Sequence, residues 1–431
     1  MLNGRADLLR RAGYVRIGER SGTARGLAAV WLNGSINPVT MAVGAIGIHF
    51  GSDPAWAALA IILGCLIGSL SVSGLAAQGA RLGLPQLIQA RGQLGRRGGM
   101  IVSAGAIAAY LGFASVGAGI AGDAVHVLTD APRPLGVALC CVFAALLASL
   151  HFGPFQAAHR WMGWLLAAGL AVYGLAAFRA LPPWAPGDFR LQPFLAQFGA
   201  ATAYQLSWGL YLSDYSRHLP PRTGRAGLYW WTFAGSMTGG SATMLAGAAS
   251  LADAPAGHSL AQALSAVGRH AGLIWALLSV VPLGALNIGG AALAIGAAFP
   301  ALDRWLVPVL SGLCTLLGLA VENELVGGFA AFLDRFTDFL APWTGIIVAD
   351  LHFGRRGRYS AAGIVGITDL YGNWNPRGLG ALAFGGLVSA FAGPASGGLA
   401  AAAIYAAIHP RMNWREEMRR IDCADRSLDP L

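Results

Sequence analysis

Charge is scarce in this 431-residue chain: Asp, Glu, Lys and Arg together make up 11% of it, against about 25% in soluble domains. Lysine is absent altogether, so all 29 basic residues are arginine. Long polar segments are lacking too, and neither the connections between apolar runs nor the two ends could build a water-soluble core. These shortages exclude a soluble enzyme. The five cysteines, Cys65, Cys140, Cys141, Cys314 and Cys423, are odd in number and lack metal-ligand spacing. They predict neither a disulfide framework nor a metal site. The amino terminus carries Arg5, Arg10, Arg11, Arg16, Arg20 and Arg25 without a cleavage motif nearby, unlike a secretory signal.

What the chain has is apolar length. The hydrophobic set supplies 55% of the residues, and a bilayer-spanning helix needs about 20 of them. Apolar runs predict about twelve spans, at 27–49, 55–79, 99–128, 134–151, 158–178, 194–212, 226–250, 268–298, 304–321, 324–351, 376–393 and 394–408. The run 268–298 exceeds the hydrocarbon thickness and is expected to be tilted or broken. Glycine, at 61 residues, falls among apolar neighbours, and the pairs Gly64 with Gly68 and Gly235 with Gly239 predict close helix crossings. With twelve spans, 24 of the 29 arginines fall on the side of the amino terminus. The positive-inside rule then puts both termini in the cytoplasm of a bacterial-type inner membrane. The +9 net charge thus reads as topology, not as a nucleic-acid surface, because the arginines punctuate apolar runs. The chain divides into a cytoplasmic segment 1–26, a transmembrane domain 27–408 and a cytoplasmic tail 409–431.

Polar residues inside the runs mark where function could lie. Pro38, after Ser35-Ile36-Asn37, cannot donate the backbone bond that a continuous first span needs. Freed backbone groups at membrane depth are tolerated inside protein or beside a polar cavity. The break is either a binding site or a packed proline kink. The sixth span gathers Thr202, Tyr204, Gln205, Ser207 and Trp208 in one short stretch, unlike a lipid-facing helix. Pro282 and Asn287 interrupt the eighth span, where Asn287 either contacts a ligand or joins two helices. Tyr110 and Phe113 in the third span have aromatic packing as their alternative role. Among ionisable groups, Asp123, Asp334 and Asp338 are coupling or gating candidates, since intramembrane charge is costly. Asp334, Arg335 and Asp338 could instead satisfy one another on a helix face, and Asp214 and Asp350 read as loop-fixing residues beside cytoplasmic arginines.

Four stretches resemble the purine–cytosine permeases of the nucleobase:cation symporter family. They are Glu19-Arg20 with Gly22 ahead of Trp31; Ala77 to Arg91 followed by Gln93-Leu94-Gly95; Ser213-Asp214-Tyr215-Ser216-Arg217-His218-Leu219-Pro220; and Pro342-Trp343-Thr344 with Asp350 and Arg355-Arg356-Gly357-Arg358-Tyr359. The resemblance implies an all-α polytopic fold of the leucine-transporter type. Two five-helix inverted repeats, about 27–178 and 194–351, would be joined by two further helices at about 376–408. It implies a midplane substrate site on spans one, three, six, eight and ten. Gln205 and Ser207 fall where cytosine permeases present substrate-facing side chains, Phe113 where relatives carry a stacking aromatic, and Tyr110 where relatives often carry Gln.

The expected substrate-binding set is therefore Asn37, Tyr110, Phe113, Gln205, Ser207, Trp208 and Asn287, with Ser35, Asp123, Asp334 and Asp338 for coupling or gating. Aromatic faces and amide edges suit a neutral flat heterocycle. The expectation is a symporter importing cytosine, a purine or a related heterocycle, with allantoin, hydantoin or a thiamine-precursor pyrimidine as the alternative cargo. No cofactor, metal or nucleic-acid partner is expected beyond the lipid bilayer, and the sequence leaves the oligomeric state open. Neither an enzyme's nucleophile–base spacing nor a channel filter is visible. Sodium-coupled relatives resemble one another in placing two hydroxyls on the eighth span. The stretch Val280 to Leu286 has none, which favours a proton as coupling ion.

Overall fold

A computed structural model describes residues 2–150, 152–180, 187–252, 260–320, 325–408 and 414–425. Among them there are helices and turns and no strand. Apolar surroundings leave the backbone no water to bond, so each run satisfies itself as a helix.

The amino-terminal helix α1 (Leu2–Arg11) precedes α2 (Ala24–Ser35) and α3 (Pro38–His49), the two halves of the first span. The second span is α4 (Pro54–Val72), continued through a tight turn into α5 (Ala76–Leu82). Short helices α6 (Gln86–Gln89) and α7 (Arg91–Leu94) lead to α8 (Gly99–Thr129), α9 (Arg133–Ala148) and α10 (Phe152–Ala180). Then come α11 (Leu191–Ser207), α12 (Leu212–Ser216), α13 (Arg225–Ala252), α14 (Leu260–Ala298), α15 (Asp303–Ala320) and α16 (Leu325–His352). The chain closes with α17 (Ala361–Val365), α18 (Pro376–Ala392), α19 (Pro394–Ile408) and α20 (Trp414–Asp425). Prolines at first helical positions, with Asn37, Asp53 and Asn375 as side-chain caps, start α3, α4 and α18.

Helix bounds follow the expected spans, but length alone does not yield twelve crossings. Five described stretches are long and apolar enough to cross a bilayer: Pro54–Leu82, Gly99–Thr129, Trp161–Arg179, His270–Ala298 and Asp303–Ala320. The first and sixth runs are each divided, and α9, α18 and α19 are shorter.

One expectation is corrected here. Pro282 does not interrupt the eighth span, because α14 runs through it as one helix. A single missing N–H loses one ladder bond, whereas ending the helix inside the core would free several groups. Pro308 in α15 and Pro342 in α16 are carried in the same way.

Glycines set the crossings. A Cβ on Gly64 or Gly68 would lie 2.6 Å from the Phe198 carbonyl oxygen or 2.8 Å from that of Thr202, so α4 meets α11 backbone to backbone. Gly235 and Gly239 do the same for α13 against Ala28 and Leu32 of α2, at 2.3 and 2.7 Å. The central core gathers side chains from both halves of the broken first span, α8, α11 and α14. Large apolar residues such as Trp161, Trp164 and Val172 on α10 remain exposed around it, as a lipid-facing surface requires.

Candidate functional site

The breaks in the two divided spans touch. In the first, Asn37 accepts the Thr40 amide at 3.0 Å and donates to the Gly34 carbonyl at 2.9 Å, so one side chain caps α3 and closes the end of α2. Ser35 donates to the Trp31 carbonyl at 2.9 Å. In the sixth, α11 ends at Ser207, a 3-10 turn covers Trp208–Leu210, and α12 follows. Ser207 donates to the Tyr204 carbonyl at 2.6 Å. The Tyr204 hydroxyl pairs with Thr40 across the two breaks. A Cβ on Gly34 would lie 2.8 Å from the Trp208 indole, so that ring rests directly on the first-span backbone.

Around Trp208 the aromatic residues meet edge-on or tilted: Trp31 at 5.5 Å between ring centroids, Tyr204 at 5.9 Å and Tyr211 at 5.6 Å. Such geometries match the charge distribution of aromatic rings. The Trp208 indole N–H is enclosed and has no hydrogen-bond partner, which is unusual for a buried donor. From the third span, Tyr110 donates to the Leu210 carbonyl at 3.1 Å, a group released by the sixth-span break. From the eighth, Asn287 accepts from Tyr211 at 2.7 Å and donates to the Leu283 carbonyl at 2.8 Å. Among the described residues, the side chains that meet here are uncharged.

The other expected residues lie apart. Phe113 packs edge-on against Phe332 and Phe336 of α16, at 5.6 and 6.1 Å, and so joins the third span to the tenth. Gln205 turns toward α13. Its amide donates to the Ser236 carbonyl at 3.1 Å and accepts from the Ser236 hydroxyl, between the glycine surfaces at Gly68 and Gly240. Asp123 is paired with Arg133 at 2.6 Å, and Asp338 accepts from Ser389 of α18 at 2.8 Å. The Asp334 side chain lies outside the described residues. No group of three His, Cys, Asp or Glu able to hold a metal occurs among the described residues.

The loop-fixing reading of Asp214 agrees with the geometry. Asp214 accepts the Gln86 amide at 2.8 Å, while Gln86 accepts from the Ser213 amide and hydroxyl. Arg217 donates to the Gly13 carbonyl, and Arg20 donates to those of Val15 and Ala80, at 2.9 and 3.0 Å. These bonds tie the amino-terminal segment across the carboxyl ends of spans two and six. Tyr211, missing from the expected set, lies just past the polar stretch of the sixth span. Its signal was the spacing of three from Trp208, which returns to the same side of a helix.

Comparison with known proteins agrees with this architecture. Residues 14–406 match the family model described as permease for cytosine/purines, uracil, thiamine, allantoin. YxlA of Bacillus subtilis, whose name assigns it to the purine-cytosine permeases, is 28% identical over 382 residues, covering 84% of this chain and 83% of that protein. Purine-cytosine permease FCY21 of Saccharomyces cerevisiae is 23% identical, covering 78% and 69%. The structure of Mhp1, a nucleobase-cation-symport-1 family transporter in a closed conformation with bromovinylhydantoin bound, superposes with a TM-score of 0.77 at 19% identity, covering 94% of this chain and 95% of that one. The fold is thus the transporter fold expected from the resemblance, and the chain belongs to the family of cytosine/purine, uracil, thiamine and allantoin permeases, multi-pass membrane transporters and not enzymes.

Proposed function

We propose that this transporter imports a nucleobase or a closely related neutral heterocycle by alternating access, holding it where the two helix breaks meet. The observation that carries this reading is the uncharged cluster of Trp208, Tyr110 and Asn287, which offers π faces and an amide edge and contains an indole N–H without a partner. A flat heterocycle matches both, through stacking and through its donor–acceptor rim. Asn37 and Ser207 shape the breaks, Phe113 closes the side toward the tenth span, and Gln205 acts by holding the sixth span on α13. The structural relative holds a hydantoin derivative, so hydantoins and allantoin belong in the same test panel.

Thermal unfolding of the purified protein against nucleobases, hydantoins, allantoin and hydroxymethylpyrimidine tests the reading. A ligand at 100 times its dissociation constant is expected to stabilise by about 2.7 kcal/mol. Asn287→Ala should weaken that ligand roughly threefold to tenfold, or more if a ligand group is left unpaired. No stabilisation by any member of the panel would overturn the assignment.

The same reading makes the coupling ion a proton, or leaves uptake ion-independent. A sodium ion needs several oxygen ligands in place of its water. The Val280 to Leu286 stretch offers no side-chain oxygen, and Ser279 donates its hydroxyl to the Ala276 carbonyl. Asp123 is already held in an ion pair with Arg133, whereas Asp338 meets a neutral serine hydroxyl, so Asp338 is the first of the two to vary in a coupling test. His218, in the loop after α12, does not fit the role. Partial burial, with Arg217 and Arg20 adding to it, pushes its imidazole down to about 3, so it stays neutral through the physiological range. In proteoliposomes, an inward proton gradient should accelerate uptake or leave it unchanged. Acceleration by sodium alone, at fixed pH and clamped potential, would refute this.

Both termini are assigned to the cytoplasm of the inner membrane on the arginine distribution. Arg97 is exposed in the loop between α7 and α8, whereas Gly92, within α7, is packed against Tyr359. Arg97→Cys in a Cys423→Ser background should therefore escape an impermeant maleimide in intact cells and react in inverted vesicles. Labelling from outside would reverse the orientation.

A further inference from the structure

Tyr211 is where the polar chemistry of three spans converges. It follows the 3-10 turn of the sixth span and is buried. Its phenol donates to Asn287 of the eighth span at 2.7 Å, and its ring lies 4.7 Å from Tyr110 of the third and 5.6 Å from Trp208. Asn287 is also bound through its nitrogen to the Leu283 carbonyl at 2.8 Å. A primary amide has two N–H donors and two acceptor positions. With one of each engaged, the remaining N–H and lone pair point in fixed directions: turning the amide end for end would set its oxygen against the Leu283 carbonyl, which cannot donate, and would make the Tyr211 phenol accept instead of donate.

We propose that Tyr211 is a specificity-determining positioning residue of the substrate site: together with the Leu283 carbonyl, which sets which end of the amide is which, it tethers the Asn287 amide in one place and orientation, so that the site distinguishes heterocycles bearing an oxo group from isosteres bearing an amino group at the same ring position. The inference rests on the heterocycle reading above. Its physical basis is that a buried edge built for one donor–acceptor order leaves a group unpaired when the order is reversed, and such mismatches discriminate far better than shape. Tyr110 does not share the role. Its phenol donates to the Leu210 carbonyl and touches no ligand-reading amide, so it supports the turn and not the edge.

The experiment compares ligand pairs that differ by oxo against amino, hypoxanthine with adenine and uracil with cytosine, by apparent affinity from thermal shift on the full-length purified protein. Tyr211→Phe keeps the ring packing and removes the bond. It should bring the affinity ratio of at least one pair about fivefold closer to one. Tyr110→Phe should weaken both members of each pair alike and keep the ratio. Asn287→Ser removes the amide that Tyr211 positions and should reproduce the loss of discrimination, which keeps the test decisive if Tyr211→Phe does not fold. A wild-type ratio retained in Tyr211→Phe or in Asn287→Ser overturns the inference alone, as does an equal collapse in Tyr110→Phe. Absence of any heterocycle-dependent shift in the wild type overturns the functional reading and this inference with it.

Discussion

Asp350→Ala is expected to leave little folded transporter. Asp350 is fully buried near the carboxyl end of α16, accepts from three donors and pairs with a guanidinium. Tyr359 donates to one carboxylate oxygen; Tyr405 of α19, at 3.1 Å, and the Arg355 amide, at 3.3 Å, donate to the other. The Arg355 guanidinium lies 3.6 Å away, is itself buried, and stands over the rings of Tyr359 and Tyr371. Alanine would leave a buried guanidinium without its carboxylate, which costs about 3–5 kcal/mol. That is a large share of the about 5–15 kcal/mol that stabilises most folded proteins. Asp350→Asn should fall between the two, because an amide oxygen still accepts from the phenols but brings no charge. Thermal midpoint and the monodisperse fraction after solubilisation check both variants. Wild-type values for Asp350→Ala would show that the Tyr359 and Tyr405 contacts carry no energy.

The helical spans were legible in the sequence because a bilayer allows few choices. A long apolar run must close its own backbone bonds, so composition alone located α8, α9, α13 and α16 to within a few residues. The break at Ile36 was legible for a similar reason, since Pro38 lacks a donor and Asn37 is a strong cap. Pro282 misled because the sequence does not say what surrounds a proline. In the eighth span the helix passes through it intact.

Side-chain direction was the illegible part. Gln205 lies in the sixth span's polar stretch, yet its amide meets Ser236, and nothing in one sequence places Ser236 opposite it. Asn287 was visible as a lone amide, but its partner Tyr211 lies 76 residues away in the chain. Such pairings depend on how the helices rotate against one another. That rotation is set by the small-residue crossings as a group.

One crossing supports the second strong expectation, that Gly44→Val prevents folding. α13 runs along both halves of the broken first span, meeting α2 at Gly235 and Gly239 and α3 farther on. At the α3 crossing the fit is reciprocal. A Cβ on Gly44 would stand 1.9 Å from the Met244 carbonyl oxygen, and one on Gly247 would stand 2.1 Å from that of Met41. Both obstacles are backbone, so no rotamer change makes room, and relief requires the helices to separate. Ordinary overpacking costs about 1–3 kcal/mol; displacing α3 also shifts Asn37 and the Thr40–Tyr204 contact that joins the breaks, so the cost should exceed that range. Gly44→Ala should show a smaller loss in the same direction. Gly199→Ala in α11, where a Cβ would meet nothing within 4 Å, serves as the control and should be neutral or slightly stabilising, given the about 1 kcal/mol helix preference of alanine over glycine. Yield and thermal unfolding of the three variants rank them. A Gly44→Val protein that melts like Gly199→Ala would mean that α3 and α13 do not cross at these glycines.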